Sequence, residues 1–121
     1  MTENARRGAI GEEAAVEWLR SNGFMIVDRN WRSGRYELDV VAKCGDTLHF
    51  VEVKLRSADG LTAPEDAMTS AKSRTLLRAA NLYINEFGVK CDCQIDFIAV
   101  DYADGKICGI RYIPNAVNPR W

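Results

Sequence analysis

Asp39, Glu52 and Lys54 are the residues of this chain whose types and spacing could do hydrolytic chemistry together. Asp39 is followed by 12 intervening residues and then by Glu52-Val53-Lys54. Two carboxylates brought together suit a hard cation, and Mg2+ is commonly held by one or two carboxylates plus water and substrate phosphate. A metal so held activates a water and stabilises charge building on a phosphate oxygen. A lysine two residues beyond the second carboxylate could position that water, or deprotonate it once its pKa is lowered.

These residues must share a hairpin. Residues 36–43 and 48–56 alternate in polarity around a turn at Gly45-Asp46. Either a two-residue or a four-residue turn sets Lys43 opposite Leu48. Asp39 is then expected opposite Glu52, and Glu37 opposite Lys54, with Val41 and Phe50 on the same face. Leu38, Val40, Ala42, Val51, Val53 and Leu55 fall on the other face, so the hairpin is expected to be covered on both sides. Facing carboxylates repel, and burying them unpaired is costly. Two offsets are open: a salt-bridge network in which Lys54 and Glu37 neutralise the pair, or a bound Mg2+ or Mn2+.

The rest of the chain supplies the frame. Residues 5–21 repeat apolar positions at three and four (Ile10, Ala14, Ala15, Trp18, Leu19), predicting a helix stopped at Asn22-Gly23. Residues 24–27 read as a short strand and 30–34 as a bend. A polar loop over 57–64 precedes a long helix predicted over 65–87. Its broad apolar face carries Ala67, Met68, Ala71, Leu76, Ala79, Ala80, Tyr83 and Ile84, and Gly88 ends it. Residues 94–101 and 106–113 read as two more strands, with 1–4 and 114–121 irregular. The order α-β-β-β-α-β-β predicts an α/β domain over 1–121: a mixed five-stranded sheet flanked by two main helices.

Composition narrows the function classes. With 47% hydrophobic and 27% charged residues, the chain is neither disordered nor fibrous. No apolar run approaches the ~20 residues of a membrane span, and the polar first residues do not read as a signal peptide; a cytoplasmic location and no membrane partner are expected. Cys44, Cys91, Cys93 and Cys108 match no zinc spacing and read as reduced thiols without disulfide partners. The net charge of −1 means that any nucleic-acid face must come from local clustering. Arg29, Arg32 and Arg35 form one such cluster, and Lys72, Arg74 and Arg78 another. His49 alternates onto the apolar face and reads as a core or edge residue rather than a ligand. Trp18 and Trp31 read as packing residues.

The ordered motifs also carry a resemblance. Asp39 with Glu52-Val53-Lys54 resembles the core hairpin of the PD-(D/E)xK nuclease superfamily. Gly8-Ala9-Ile10-Gly11-Glu12, Arg29-Asn30-Trp31-Arg32, Tyr36-Glu37-Leu38-Asp39-Val40-Val41-Ala42 and Phe50-Val51-Glu52-Val53-Lys54-Leu55-Arg56, in that order, resemble the YraN-like family of small bacterial proteins across nearly the full chain. The resemblance implies a restriction-endonuclease-like fold, kinship with archaeal Holliday-junction resolvases, and Mg2+- or Mn2+-dependent hydrolysis of DNA, branched or damaged DNA included. It also implies Glu12 as a third acidic ligand. From the sequence alone Glu12 is a solvated helix residue, and Glu13 should point elsewhere.

Lys72 matches a lysine recurring early in the family's long helix. With Arg32 and Arg56 it is a candidate phosphate contact. Leu38 stands where relatives often carry Pro, and Tyr36 where the family mostly has Gly; the Tyr36 ring could stack on a base or narrow the site. A junction substrate would require a homodimer. The alternative is a non-catalytic module that uses the same fold to bind nucleic acid or a protein partner.

Overall fold

A computed structural model describes residues 3–57 and 69–117. The elements run α1 (Glu3–Ser21), β1 (Met25–Ser33), β2 (Tyr36–Cys44), β3 (Thr47–Ser57), α2 (Ser70–Phe87), β4 (Asp92–Ala103) and β5 (Lys106–Val117). The five strands form one sheet in chain order. All neighbours are antiparallel except β3 and β4, which the crossover through α2 makes parallel. The chain is thus an α/β fold with the expected element order.

Neighbouring strand residues separate into two cores, which places the helices on opposite faces. Val41, Leu48, Phe50 and Ile95 pack with Leu76, Ala79, Ala80 and Tyr83 of α2. Val40, Ala42, Val51, Ile98 and Val100 pack with Ala15, Val16 and Leu19 of α1. Burial of each large side chain of these sets contributes about 1.5–3 kcal/mol. The sheet centre is therefore apolar on both sides, as the hairpin sequence requires.

Helix ends follow local chemistry. Thr69 caps α2 by accepting the Lys72 N–H at 3.2 Å, and Gly88 closes it at φ 60°, where a Cβ would be strained. Trp31 packs edge-on against Tyr83 and donates to Glu86, and Trp18 stacks on Tyr112.

Several boundaries differ from the sequence expectation. The bend expected at 30–34 is strand through Ser33, because Arg29, Trp31 and Arg32 pair with β2 while Asn30 absorbs the kink at φ 53°. Residues 114–117, expected to be irregular, extend β5, with Val117 paired to Ile95. Ala71, expected on the apolar face of α2, is exposed. Glu65 to Met68, the loop before them and Trp121 lie outside the described residues. No helix among the described residues is long and apolar enough to cross a membrane.

Candidate functional site

Asp39 sits where two strand ladders fail together. Between β1 and β2 the pairing passes from Arg29↔Val40 to Trp31↔Leu38, leaving Asn30 and Asp39 unpaired. Between β2 and β3 the expected register holds from Cys44↔Thr47 to Val40↔Val51 and then ends. The Asp39 carboxylate takes the place of a strand partner there, with Oδ2 accepting the Val53 N–H at 2.9 Å.

This break changes which face the acids occupy. Strict alternation would put Leu38 opposite Val41, yet both lie in the core beneath α2. Glu37 and Asp39 turn instead toward α1, where they line a cavity of about 400 Å³ with Gly8, Ala9, Glu12, Asn30 and Arg32. Two expectations are thereby corrected. Asp39 does not share the Val41–Phe50 face, so it does not stand opposite Glu52, which keeps that face and turns toward α2. Glu37 does not face Lys54; it pairs across the β1–β2 ladder with Arg32, at 3.4 Å.

Glu12 reaches the same cavity because α1 lies close on β3. A Cβ at Gly11 would stand 3.0 Å from the Leu55 Cβ, so only glycine allows this approach without a shift. The next residue then points at the cavity. Glu12 Oε1 accepts from Asn30 Nδ2 at 2.8 Å and from Arg29 Nε at 3.2 Å. Glu13 stays outside the cavity lining, its side chain 54% exposed against 14% for Glu12, although it also receives Arg29 Nη2 at 3.1 Å.

Glu52 points toward α2 and meets Lys72 Nζ at 3.0 Å. Lys54 is exposed and borders a neighbouring hollow with Arg56, Ser57 and Tyr102. Arg56 is engaged by Asp101, its register partner on β4, at 3.4 Å. Tyr36 lies on the α2 side with arginines rather than beside the acids. Its Oη accepts from Arg35 Nη2 at 3.2 Å and from Arg78 Nη1 at 3.5 Å, which holds the phenol below its ordinary value.

The electrostatics converge on Asp39. Burial pushes its carboxyl up to about 7, and the charge of Glu52 adds to the rise. The Val53 N–H opposes it, while Glu37 and Glu12 add further repulsion. Among the described residues no three Asp, Glu, His or Cys side chains form a ready ligand set. The acids around Asp39 are instead neutralised one by one, by Arg29, Arg32 and Lys72. These are not the partners expected from the hairpin.

A second polar centre lies away from this cavity. Asp96, fully buried, accepts from Tyr112 Oη at 2.6 Å, Gln94 Nε2 at 2.8 Å and the Asn115 N–H at 3.0 Å, and lies 2.6 Å from His49 Nδ1. Burial pushes its carboxyl up, but these hydrogen bonds outweigh it and leave it below the usual carboxylate range. A carboxylate only accepts, so Nδ1 of His49 carries the proton. His49 is thus a satisfied core residue. The one signal of Asp96 in the sequence is an acid inside the apolar run Ile95-Asp96-Phe97-Ile98.

The family model for the uncharacterised protein family UPF0102 matches residues 11–100, which include Glu12, Asp39, Glu52, Lys54 and Lys72. The chain belongs to UPF0102. A UPF0102 protein of Chlorobium chlorochromatii is 43% identical over 94 residues, covering 78% of this chain and 73% of that one. One from Nitratidesulfovibrio vulgaris is 40% identical over 110 residues, covering 90% and 81%. One from Bacteroides fragilis is 39% identical over 119 residues and covers 98% of both chains. The YraN-like resemblance therefore holds at the level of this family, whose name assigns no activity.

Proposed function

We propose that this UPF0102 protein is a metal-dependent endonuclease of the PD-(D/E)xK type, with a restriction-endonuclease-like fold, that hydrolyses DNA phosphodiester bonds. One observation carries the reading: Asp39 is held out of both ladders, half-buried, with a carboxyl pushed up to about 7 by burial and by Glu52, Glu37 and Glu12. An uncharged amide oxygen could accept the Val53 N–H equally well, so the negative charge itself adds no stability to the fold in that position.

The donor set suits a hard cation, since all the candidate atoms are carboxylate oxygens and their mutual repulsion is what a cation relieves. Asp39 and Glu12, which line one cavity, would hold Mg2+ or Mn2+, and Glu52, turned toward α2 by Lys72, would join them only on leaving that lysine. Such an ion supplies an activated water and neutralises charge on the phosphate. Lys72 and Arg29 compete for two of these acids, so loading requires Glu52 and Glu12 to exchange partners. Lys54, exposed two residues beyond Glu52, would act as a donor that orients the attacking water. Glu37 and Arg32 form the cavity wall, and Lys72, once released by Glu52, can meet a phosphate. Branched or damaged DNA as substrate, and a homodimer to serve two strands, follow from the same reading.

The second reading is a non-catalytic module, favoured by the fact that Glu12 and Glu52 already have cationic partners. Cleavage of linear, flapped and four-way-branched DNA with Mn2+ separates the two. Cutting by the wild type that Asp39→Ala and Lys54→Ala both abolish is expected. No metal-dependent cutting of any of these substrates would sink the nuclease reading, and cutting that survives both substitutions would displace the site.

A further inference from the structure

One arginine of the first basic cluster and the two arginines of the second meet in space at a place that the proposed metal cavity does not use. Arg35 lies in the turn between β1 and β2, while Arg74 and Arg78 lie one helical turn apart on α2. Together with Tyr36, Ala71 and Thr75 they line a hollow of about 340 Å³. The Tyr36 hydroxyl bridges them, accepting from Arg35 and from Arg78, and the Arg35 guanidinium lies 5.2 Å from the ring centroid.

Charge accounting makes this hollow unusual in the molecule. Among the described residues Arg29, Arg32, Arg56, Lys72 and Arg111 each have a carboxylate partner; Arg20, Lys43, Lys54, Lys90 and Lys106 have none but lie on separate parts of the chain, whereas the equally unpaired Arg35, Arg74 and Arg78 line one hollow. The first turn of α2 carries no acid either. A chain of net charge −1 thus gathers three uncompensated guanidiniums around one hollow. Like charges held together repel, and an oxyanion is the ligand that relieves them. Guanidinium forks match phosphate oxygens in geometry.

We propose that this hollow binds a phosphodiester of a single nucleic-acid strand, with Arg35, Arg74 and Arg78 on the phosphate and the Tyr36 ring as a surface for an adjoining base. A strand is favoured over free phosphate because the aromatic ring stands beside the cations, the pairing that single-strand grooves use. The inference builds on the nuclease reading, to which it adds the form of nucleic acid engaged. It is tested by binding alone, without metal, so the two can fail separately.

The test is fluorescence anisotropy of a labelled single-stranded oligonucleotide in EDTA across a salt series. Arg74→Glu/Arg78→Glu is expected to weaken binding at least tenfold and to lower the slope of log affinity against log salt by roughly 0.7, the value for one phosphate contact on a single strand. Lys90→Glu/Lys106→Glu, which changes net charge equally at two exposed lysines elsewhere, is expected to stay near wild type. Arg35→Glu, on a different element, repeats the test independently of α2. Tyr36→Leu is expected to weaken single-strand binding while sparing the salt slope.

Equal losses in both double variants would reduce the effect to net charge and overturn the proposal. So would wild-type binding to duplex as tight as to single strand and indifferent to Tyr36→Leu, or binding of poly-glutamate with no binding of the oligonucleotide. Loss of EDTA binding in the arginine variants stands even where no cleavage is found. Conversely, Mn2+-dependent cleavage of single strands unchanged in those variants overturns this inference and leaves the nuclease reading intact.

Discussion

Asp39 Oδ2 accepts the backbone N–H of Val53 at 2.9 Å, one residue beyond Glu52 and past the last paired position of the hairpin. The bond stands where a main-chain partner would otherwise be, so the site is stitched into the sheet by the very group proposed to hold the metal.

Replacing that carboxylate should reveal its cost. The folded carboxyl, pushed up to about 7 by burial and then by Glu52, lies above the unfolded value of ~3.9. The native state therefore binds more protons, and stability falls as pH rises from about 4 through 7. Asp39→Asn keeps an oxygen for the Val53 N–H and removes the charge. Without metal it is expected to raise the melting temperature at pH 8, by roughly 4 °C for each kcal/mol relieved, and to change little at pH 4. Mn2+ should raise the wild-type melting temperature and leave the variant's unmoved. A variant less stable than wild type at pH 8 would contradict the electrostatic account.

Gly11 gives a purely steric prediction. Alanine is the better helix former by about 1 kcal/mol, yet its Cβ would stand 3.0 Å from the Leu55 Cβ. Overpacking of this kind costs about 1–3 kcal/mol. Gly11→Ala is expected to lower the denaturant midpoint, whereas Gly8→Ala, whose Cβ meets nothing within 4 Å, should raise it or leave it unchanged. Urea titrations of the two variants decide this.

Asp96 behaves in the sense opposite to Asp39. Its folded carboxyl lies below the ordinary value, because the bonds from His49, Tyr112, Gln94 and Asn115 outweigh burial. The stability it contributes is complete above ~3.9 and is lost as pH falls through the lower folded value. Asp96→Asn should cost about 3 kcal/mol at pH 7, since buried donors lose a charged acceptor. The variant should also show a flatter decline in stability below pH 4, read from melting temperatures between pH 2 and 6. An identical acid limb in the two proteins would show that Asp96 is not the group responsible.

Much of the fold was legible in the residues. The helices around Leu19 and Ala79, the hairpin register at Val40↔Val51 and the parallel β3–β4 pair follow from periodicity and turn chemistry. The faces of Glu37, Leu38 and Asp39 did not follow. Alternation assumes an unbroken ladder, and the break depends on Asn30, a residue of another strand, adopting φ 53°. Glu12 came from resemblance alone, because its orientation depends on how closely α1 settles at Gly11. The partners Arg29 and Lys72 come from elements distant in sequence, and local spacing cannot assign them. Asp96 is not singled out by type and spacing, because the four groups that satisfy it come from three strands.

The irregularity at Asn30 also bears on how the molecule meets copies of itself. β1 borders the sheet, and its outer edge would offer unpaired N–H and C=O groups to any passing chain. The register shift between Ile26 and Asp28 and the left-handed Asn30 bend that edge twice within nine residues. The opposite border, β5, is interrupted by Pro114, which has no N–H to give, and by Asn115 at φ 52°. The sheet thus lacks a straight template on either side, and the distortion that releases Asp39 from the ladder doubles as protection against edge-to-edge aggregation.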